Sequence, residues 1–568
     1  MENTIIDLQL VIKLRDTFFF NKEVLDKFFN IKDTKTYLEE NLKLVALQEH
    51  QLPSKIDSFH PIIDVFKTVK DLGHETTYLF DEHHDYDIFN QLQQWYFDNT
   101  QERVSNLTEL PFPNFYNYFV INISKNNFED DEKKMFETVL MELMLNFNKF
   151  VRDESIILEN QVLDYFYLKG ISEETSNAAS ITYFEQMNLP SRINLRTSDV
   201  NLQEGNNVKI YDIESDWDET NVEILDSNPA TVTLLTRIFP DDSYQVEGNK
   251  EHGTKVLEVL RAKINENTIH GIVSDSEVFL SSTIFKKIAN DNNANNIVVH
   301  SEENALLKTF YYTENGRKVK IENGSIIMFE VALPPYPIEV QPAVWQLIKV
   351  ATSGLNAIVI EGAGNSEQDI SKLTAIQGGD TPLITRLFQY YDDILIKLRE
   401  EELNPTIFVP HFTNSKTVNL INHFINKDSG AIIIGAYIYE NNIFKKEMKS
   451  NYDSRDNSSN KVKVFGIGSG IKTTLGDFGN TSAATAVIAG VAATLQSYVK
   501  ALPRNTKYIS SKKMLDLLTL STTNNVIYQP NTRTLTILGK VPDVAMAISK
   551  INVSRYYNSL PNLQVNKD

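Results

Sequence analysis

Ser482 stands where a hydroxyl could become a nucleophile. It belongs to Gly476-Asp477-Phe478-Gly479-Asn480-Thr481-Ser482, a glycine-rich turn that runs into Ala483 to Ala493, a stretch of small residues apolar on every face. That pattern describes a buried helix. A helix N-terminus carries unpaired N–H groups and a partial positive charge, so an oxyanion formed beside Ser482 would be stabilised there. The competing reading is that Thr481 or Ser482 only caps the helix. Nucleophilic chemistry also needs a base.

Three other stretches could supply the rest. Val208-Lys209-Ile210-Tyr211 reads as a strand ending at Asp212, and a carboxylate buried there requires a partner such as an imidazole N–H. His252, one of ten histidines, is followed by Gly253, Thr254 and an amphipathic stretch; a surface or capping histidine is the plainer alternative. Ala357 to Glu361 is an apolar run leaving through Gly362-Ala363-Gly364 into Asn365. That amide could aim its N–H₂ group into a cleft or simply occupy a left-handed turn.

Other chemistries find less support. The strand-to-helix elbow Gly-x-Ser-x-Gly is absent, which argues against an α/β-hydrolase acting on esters. Gly466-Ile467-Gly468-Ser469-Gly470 fails as a dinucleotide fingerprint because Ile471 occupies the place of the third glycine. Asp81-Glu82-His83-His84-Asp85 has metal-binding residue types but no helical His-Glu-x-x-His frame, so a solvated acidic loop is the better reading.

Composition narrows the partners. The formal net charge of −20 repels nucleic-acid backbones and anionic lipid surfaces. No cysteine is present among 568 residues, which excludes a thiol nucleophile, a disulfide framework and thiolate metal sites. No run of roughly 18 consecutive apolar residues suggests a membrane span, and the first residues lack a basic segment followed by an apolar core. The expectation is a cytoplasmic protein.

The elements that must position these residues follow from periodicity. Val208 to Tyr211, Gly271 to Leu280, Ser325 to Val331, Ala357 to Glu361, Thr406 to Val409 and Ala431 to Ala436 read as buried strands. Helical stretches at Thr254 to Ile264, Gln341 to Ser353 and Lys416 to Ile425 lie between them. The alternation predicts an α/β fold with a mostly parallel sheet and helices on both faces, whose functional groups gather at the carboxyl ends of the strands. Upstream, Tyr118 to Ile123, a helix over Asp130 to Phe147 and an extended stretch near Val151 to Leu158 suggest a small βαβ-type unit.

Asp212, His252, Asn365 and Ser482, in this order and these contexts, resemble the subtilisin-like serine peptidases. His252-Gly253-Thr254, Ala363-Gly364-Asn365, and Thr481-Ser482-Ala483-Ala484 followed by Ala489-Gly490 carry the resemblance, which spans about residues 180 to 505. Asn480 replaces a usual glycine, Ala486 a common proline, and Asp212-Ile213-Glu214 the more common Asp-Thr/Ser-Gly.

The resemblance implies a doubly wound subtilisin-like domain over residues 205–550 and a serine endopeptidase acting on protein or peptide. In it Asp212 orients the imidazole, His252 shuttles the proton, Ser482 attacks, and Asn365 holds the oxyanion. Substrate would add as a strand beside Phe329, Glu330 and Val331 and approach Gly362, Ala363 and Gly364. Glu330 would favour a basic substrate residue or merely face solvent. The unit at 115–170 corresponds to a prodomain that would pack on the catalytic domain and hold it as a zymogen, with 1–114 unassigned, 171–204 a linker and 551–568 a tail. No cofactor is required. Structural calcium is common in the family, with no ligand set assignable here. The rival is a regulatory or peptide-binding relative with an occluded cleft.

Overall fold

The computed structural model describes residues 4–14, 76–80, 87–100, 118–124 and 163–170, with Pro113 and Phe115. From 205 onward it describes 205–218, 220–221, 232–236, 249–262, 271–287, 297–314, 317–332, 336–372, 427–440, 443–455, 459–502, 508–520, 526–528 and 537–552. The expected elements at Asp130 to Phe147, Val151 to Leu158, Thr406 to Val409 and Lys416 to Ile425, the Asp81 to Asp85 cluster and the linker 171–204 lie outside the described residues, as does the tail beyond Asn552.

The N-terminal strands are β1 (Thr4–Leu14), β2 (Thr76–Tyr78), β3 (Tyr118–Ser124) and β4 (Leu163–Gly170), with helix α1 (Asp87–Thr100) between β2 and β3. The strands that follow are β5 (Lys209–Glu214), β6 (Val232–Thr236), β7 (Glu277–Ser282), β8 (Ile284–Lys287), β9 (Ile297–His300), β10 (Tyr311–Glu314), β11 (Arg317–Lys320), β12 (Ile326–Phe329) and β13 (Ile358–Gly362). Strands β14 (Ile432–Glu440), β15 (Ile443–Lys446), β16 (Val464–Ile467), β17 (Ile471–Thr473), β18 (Gly476–Phe478), β19 (Val526–Tyr528) and β20 (Ile537–Lys540) complete the set. The helices are α2 (Asn249–Arg261), α3 (Glu302–Lys308), α4 (Pro342–Ser353), α5 (Asn480–Ala501), α6 (Ser511–Leu518) and α7 (Val544–Asn552).

Ten strands form the central sheet in the order β15-β19-β20-β16-β14-β13-β12-β5-β7-β6. From β16 to β6 every neighbouring pair is parallel, as the near-continuous apolar runs require of strands buried on both faces. The α/β class expected from the alternation is therefore observed.

Register fixes the two faces. Met328 pairs with Asp212 and Phe329 with Glu361. On one face, a Cβ on Gly362 would lie 3.3 Å from Thr481 Oγ1 of α5. On the other, Glu361 Oε2 accepts from the N–H of Glu339, just ahead of α4. Helices α5 and α4 thus cover opposite faces, since successive side chains alternate along a strand.

Helix α5 is apolar all round and buried for most of its length. Its best window is apolar enough to cross a membrane, but 94% of it lies inside the protein, so it is the core helix. It packs on β12, β13, β14, β16 and α2. Gly466 of β16 permits the approach, because a Cβ there would come within 2.4 Å of Ala484 O.

The N-terminal sheet departs from the expected boundary at residue 114. Strand β1 lies between β3 and β4, antiparallel to both, so residues 4–14, 118–124 and 163–170 share one sheet. That sheet continues into the second part of the chain, where Thr4, Ile5 and Ile6 pair in parallel with Ile297, Val298 and Val299 of β9.

Gly466→Ala should cost about 1–3 kcal/mol of stability, the usual penalty of overpacking a filled core. Urea unfolding of the two proteins measures it; an unchanged midpoint would contradict the close packing of α5 on β16.

Candidate active site

Strand β5 carries Asp212 and Glu214 two residues apart, so both point to the α5 face. Both are fully buried. The indole Nε1–H of Trp217, itself buried, donates to Asp212 Oδ2 at 2.8 Å. Glu214 Oε1 lies 2.8 Å from His252 Nδ1, and Glu214 Oε2 accepts from the Ser215 N–H at 3.3 Å. Of the two acids of this strand, Glu214 has an oxygen beside the imidazole, and Asp212, the acid expected from the sequence, accepts from Trp217. The strand runs two residues further than Asp212, and its end is what reaches the first turn of α2.

Each residue of His252-Gly253-Thr254 has a separate task. His252 faces Glu214, with the edge of Phe478 against its ring at 5.4 Å between centroids. A Cβ on Gly253 would lie 2.4 Å from Asp216 O and 2.8 Å from Trp217 Cδ1, so glycine lets α2 settle on the turn after β5. Thr254 Oγ1 accepts from the Asp218 N–H at 2.8 Å and donates to Lys250 O at 2.5 Å, tying that turn to the helix. His252 is 5% exposed, so the surface alternative is excluded.

Ser482 is the third residue of α5. Gly479 occupies the N-cap position and has no side chain to cap the helix. The Asn480 N–H donates to Gly468 O at 2.7 Å and the Thr481 N–H to Asn365 Oδ1 at 2.9 Å, while Ala483 N–H reaches back to Gly479 O at 3.3 Å. The Ser482 hydroxyl donates to the main-chain oxygen of Glu330 at 3.4 Å rather than capping the helix.

Asn365 is fixed by its oxygen, which accepts from both the N–H and the Oγ1 of Thr481, the latter at 2.7 Å. An amide anchored this way turns its N–H₂ group in the other direction. It is not the left-handed residue of its turn; Gly364 (φ 93°) and Glu367 (φ 59°) are. Asn451, which the sequence reading did not single out, holds this turn. Its Nδ2 donates to Ala363 O at 2.8 Å, and its Oδ1 accepts from the N–H groups of Ser366 and Gln368 at 3.1 and 2.9 Å. An isolated asparagine in a polar stretch gives no periodic signal, so only the folded contacts reveal it.

Phe329, Glu330, Val331, Gly362, Ala363 and Gly364 are all buried at the carboxyl ends of β12 and β13. Glu330 is 5% exposed, which excludes the solvent-facing alternative. Burial, with Glu214 and Asp212 nearby, holds its carboxyl well above the usual range. On the opposite face, burial and the neighbouring Glu339 push Glu361 well above its ordinary value. Among the described residues no group of three or more His, Asp or Glu is arranged to hold a metal ion.

No protein-family model and no curated protein sequence matches the chain. Solved structures do. One is the epidermin leader peptide processing serine protease of Staphylococcus aureus, with 13% identity, 97% of this chain and 100% of that chain covered, and a TM-score of 0.44. A cold-adapted subtilisin-like serine proteinase has 14% identity, 61% and 93% coverage and a TM-score of 0.33. A lanthipeptide protease has 15% identity, 62% and 90% coverage and a TM-score of 0.35.

Glu361 also yields a pH test. Its folded-state value lies above the ordinary 4.5, so over that interval the folded state keeps a proton that the unfolded chain releases, and stability falls as pH rises from about 4.5 toward the raised value. Glu361→Gln should flatten that fall. Thermal melting across the interval measures it, and parallel slopes for the two proteins would refute the burial of a neutral acid.

Proposed function

We propose that the chain is a serine endopeptidase of the subtilisin-like kind. The observation that carries this reading is the first turn of α5. There the Ser482 hydroxyl donates to the main-chain oxygen of Glu330 rather than capping the helix, and the Asn365 amide is anchored on Thr481 one residue away. A helix cap alone would use the hydroxyl; a nucleophile needs it available.

In this mechanism Glu214 orients the imidazole through Nδ1 and stabilises the imidazolium, and His252 Nε2 takes the Ser482 proton. The serine oxygen attacks the scissile carbonyl. The developing oxyanion is held by the Ser482 N–H and the Asn365 N–H₂, with the helix dipole behind them. His252 then returns the proton to the leaving amine, and water completes the second half by the same route. An extended peptide substrate would pair with the main chain around Phe329 to Val331 and lie against Gly362 to Gly364. The chemistry uses no cofactor, and nothing in it calls on nucleic acid or membrane.

The N-terminal sheet supports a zymogen. It docks through β1 on β9, through Tyr118 Oη on Gln346 of α4, and through Asn304 of α3, whose Nδ2 donates to Leu79 O at 2.9 Å. The inactive-relative reading also has an observation in its favour, since Ser482 is only 3% exposed.

A fluorophosphonate probe distinguishes them. The purified chain should be labelled at Ser482, directly or after limited proteolysis near residue 175, and Ser482→Ala should not. Glu214→Gln should slow labelling by about a thousandfold or more, as removing the carboxylate behind a catalytic imidazole does, while Asp212→Asn should slow it far less. Absence of label under every condition would favour the occluded binding protein; the reverse order of the two acid variants would restore Asp212 to the triad.

A further inference from the structure

We propose that the Lys446 ammonium fills an internal cation site built from main-chain carbonyls, and that through the loop it gathers it positions the turn carrying Asn365. The proposal rests on the serine-peptidase reading above for what that turn does. Lys446 is then a positioning residue of the site, far from Ser482 in sequence and joined to it by a continuous set of hydrogen bonds.

The cation site is made by convergence. Lys446 closes β15 and is buried, although Met448 two residues on is exposed. Its Nζ donates to the main-chain oxygens of Glu447, Met448 and Ser450 at 2.7, 2.7 and 2.9 Å. Three acceptors take three N–H bonds, and a lysine amine has three only as the ammonium. The same nitrogen lies over the ring of Tyr452, 5.5 Å from its centroid, where the ring quadrupole attracts a positive charge. Burial lowers the Lys446 pKa, while the nearby Glu447 and Glu367 charges favour the protonated form. A buried cation ringed by oxygens is the arrangement of a hard metal ion; here a side chain supplies the charge.

The loop so gathered grips the Asn365 turn. Among the carbonyls of residues 447 to 450, that of Lys449 turns away from the ammonium and accepts the Glu367 N–H at 2.8 Å. Asn451 follows directly. Its main-chain N–H donates to Gly364 O at 2.9 Å, and its side chain bonds Ala363 O and the N–H groups of Ser366 and Gln368. The Tyr452 N–H then donates to Gln368 O at 3.0 Å. Asn365 is thus held through Gly364 and Ser366 on either side, while its own amide oxygen accepts from Thr481. Without the ammonium, three carbonyl dipoles would face one another with no donor between them, and the loop would open to hydrate them. The grip on Gly364 and Ser366 would loosen with it. A shift of about 1 Å in Asn365 matters, because an oxyanion donor works only at hydrogen-bond distance from the developing charge.

Fluorophosphonate labelling at saturating probe, on the full chain after limited proteolysis where the intact chain is latent, tests the idea. Lys446→Met, which fills the space without a charge, should label about 10- to 100-fold more slowly than the unmutated protein, the loss of the Asn365 donor itself setting the upper limit. Lys446→Met/Asn365→Ala should be no slower than Asn365→Ala, because both changes act on one donor. A contribution to stability alone would leave the rate of the folded protein unchanged. Lys446→Ala supplies a rescue: propylammonium, which replaces the deleted methylenes and the ammonium, should restore much of its rate and leave Lys446→Met slow, and tetramethylammonium, which has no N–H, should restore neither. An unchanged rate in Lys446→Met, multiplied slowing in the double variant, or equal effects of the two salts would overturn the positioning role. Thermal melting gives a readout without labelling. If no protein is labelled but propylammonium raises the melting temperature of Lys446→Ala above its value in tetramethylammonium, the cation site stands and the peptidase reading fails; equal melting in both salts would sink the site itself.

Discussion

Helix α5 spends the N–H groups of its first turn unevenly, and the site depends on that distribution. Asn480 gives its N–H to Gly468 and Thr481 gives its own to Asn365, which places Ser482 one residue further into the first turn. This arrangement is stable only because the rest of the helix is anchored. Burial of its small residues against four strands and α2 fixes the first turn in place, and Asn480 enters the helix through a left-handed conformation, φ 62°, that asparagine tolerates better than most residues. Apolar burial along α5 therefore sets the aim of a polar group at its end, with no loop left to move it.

The second constraint is acid burial. Asp212, Glu214, Glu330 and Glu361 lie at or near the carboxyl ends of parallel strands, and Glu339 lies in the short turn ahead of α4; each is under a tenth exposed. For Glu330, Glu339 and Glu361 burial is the largest influence and raises the carboxyl, with neighbours second. Glu339 shows the pattern on the α4 face: burial raises it, while Lys461 and the Ser429 hydroxyl partly offset the rise. Parallel strands end in register, so acids at equivalent positions are brought side by side, and the protonation of one becomes a property of its neighbour.

The fold class was legible because parallel strands buried on both faces leave unbroken apolar runs, such as Ile326 to Phe329 and Ile432 to Ile434, that periodicity detects. His252, Asn365 and Ser482 were legible from glycines and small residues whose reasons are now visible: Gly253 admits Trp217, Gly364 admits Asn451, and the alanines of α5 admit the sheet. Asp212 was read from where a motif ends, whereas the strand runs on to Glu214, whose carboxylate lies 2.8 Å from His252 Nδ1. The signal that could have found Glu214 was parity, since Asp212 and Glu214 share a face and only the later one reaches the next helix. Asn451 lacked any such signal. Its role depends on a contact across 88 residues of chain.

The junction of the N-terminal sheet follows from the same backbone logic. Ile6 pairs with Ser124 of β3 and also with Val299 of β9, and Leu8 pairs with Gly170 of β4. Strand β9 thus takes up the edge of β1 at the point where β4 ends. Main-chain pairing of this kind is indifferent to side-chain identity, which is why no residue pattern announced it. It also leaves β9 with an unsatisfied edge whenever β1 is withdrawn, an arrangement that proteins otherwise avoid. The hairpin of β8 and β9 is therefore built for a partner strand, and the first residues of the described chain supply one in register.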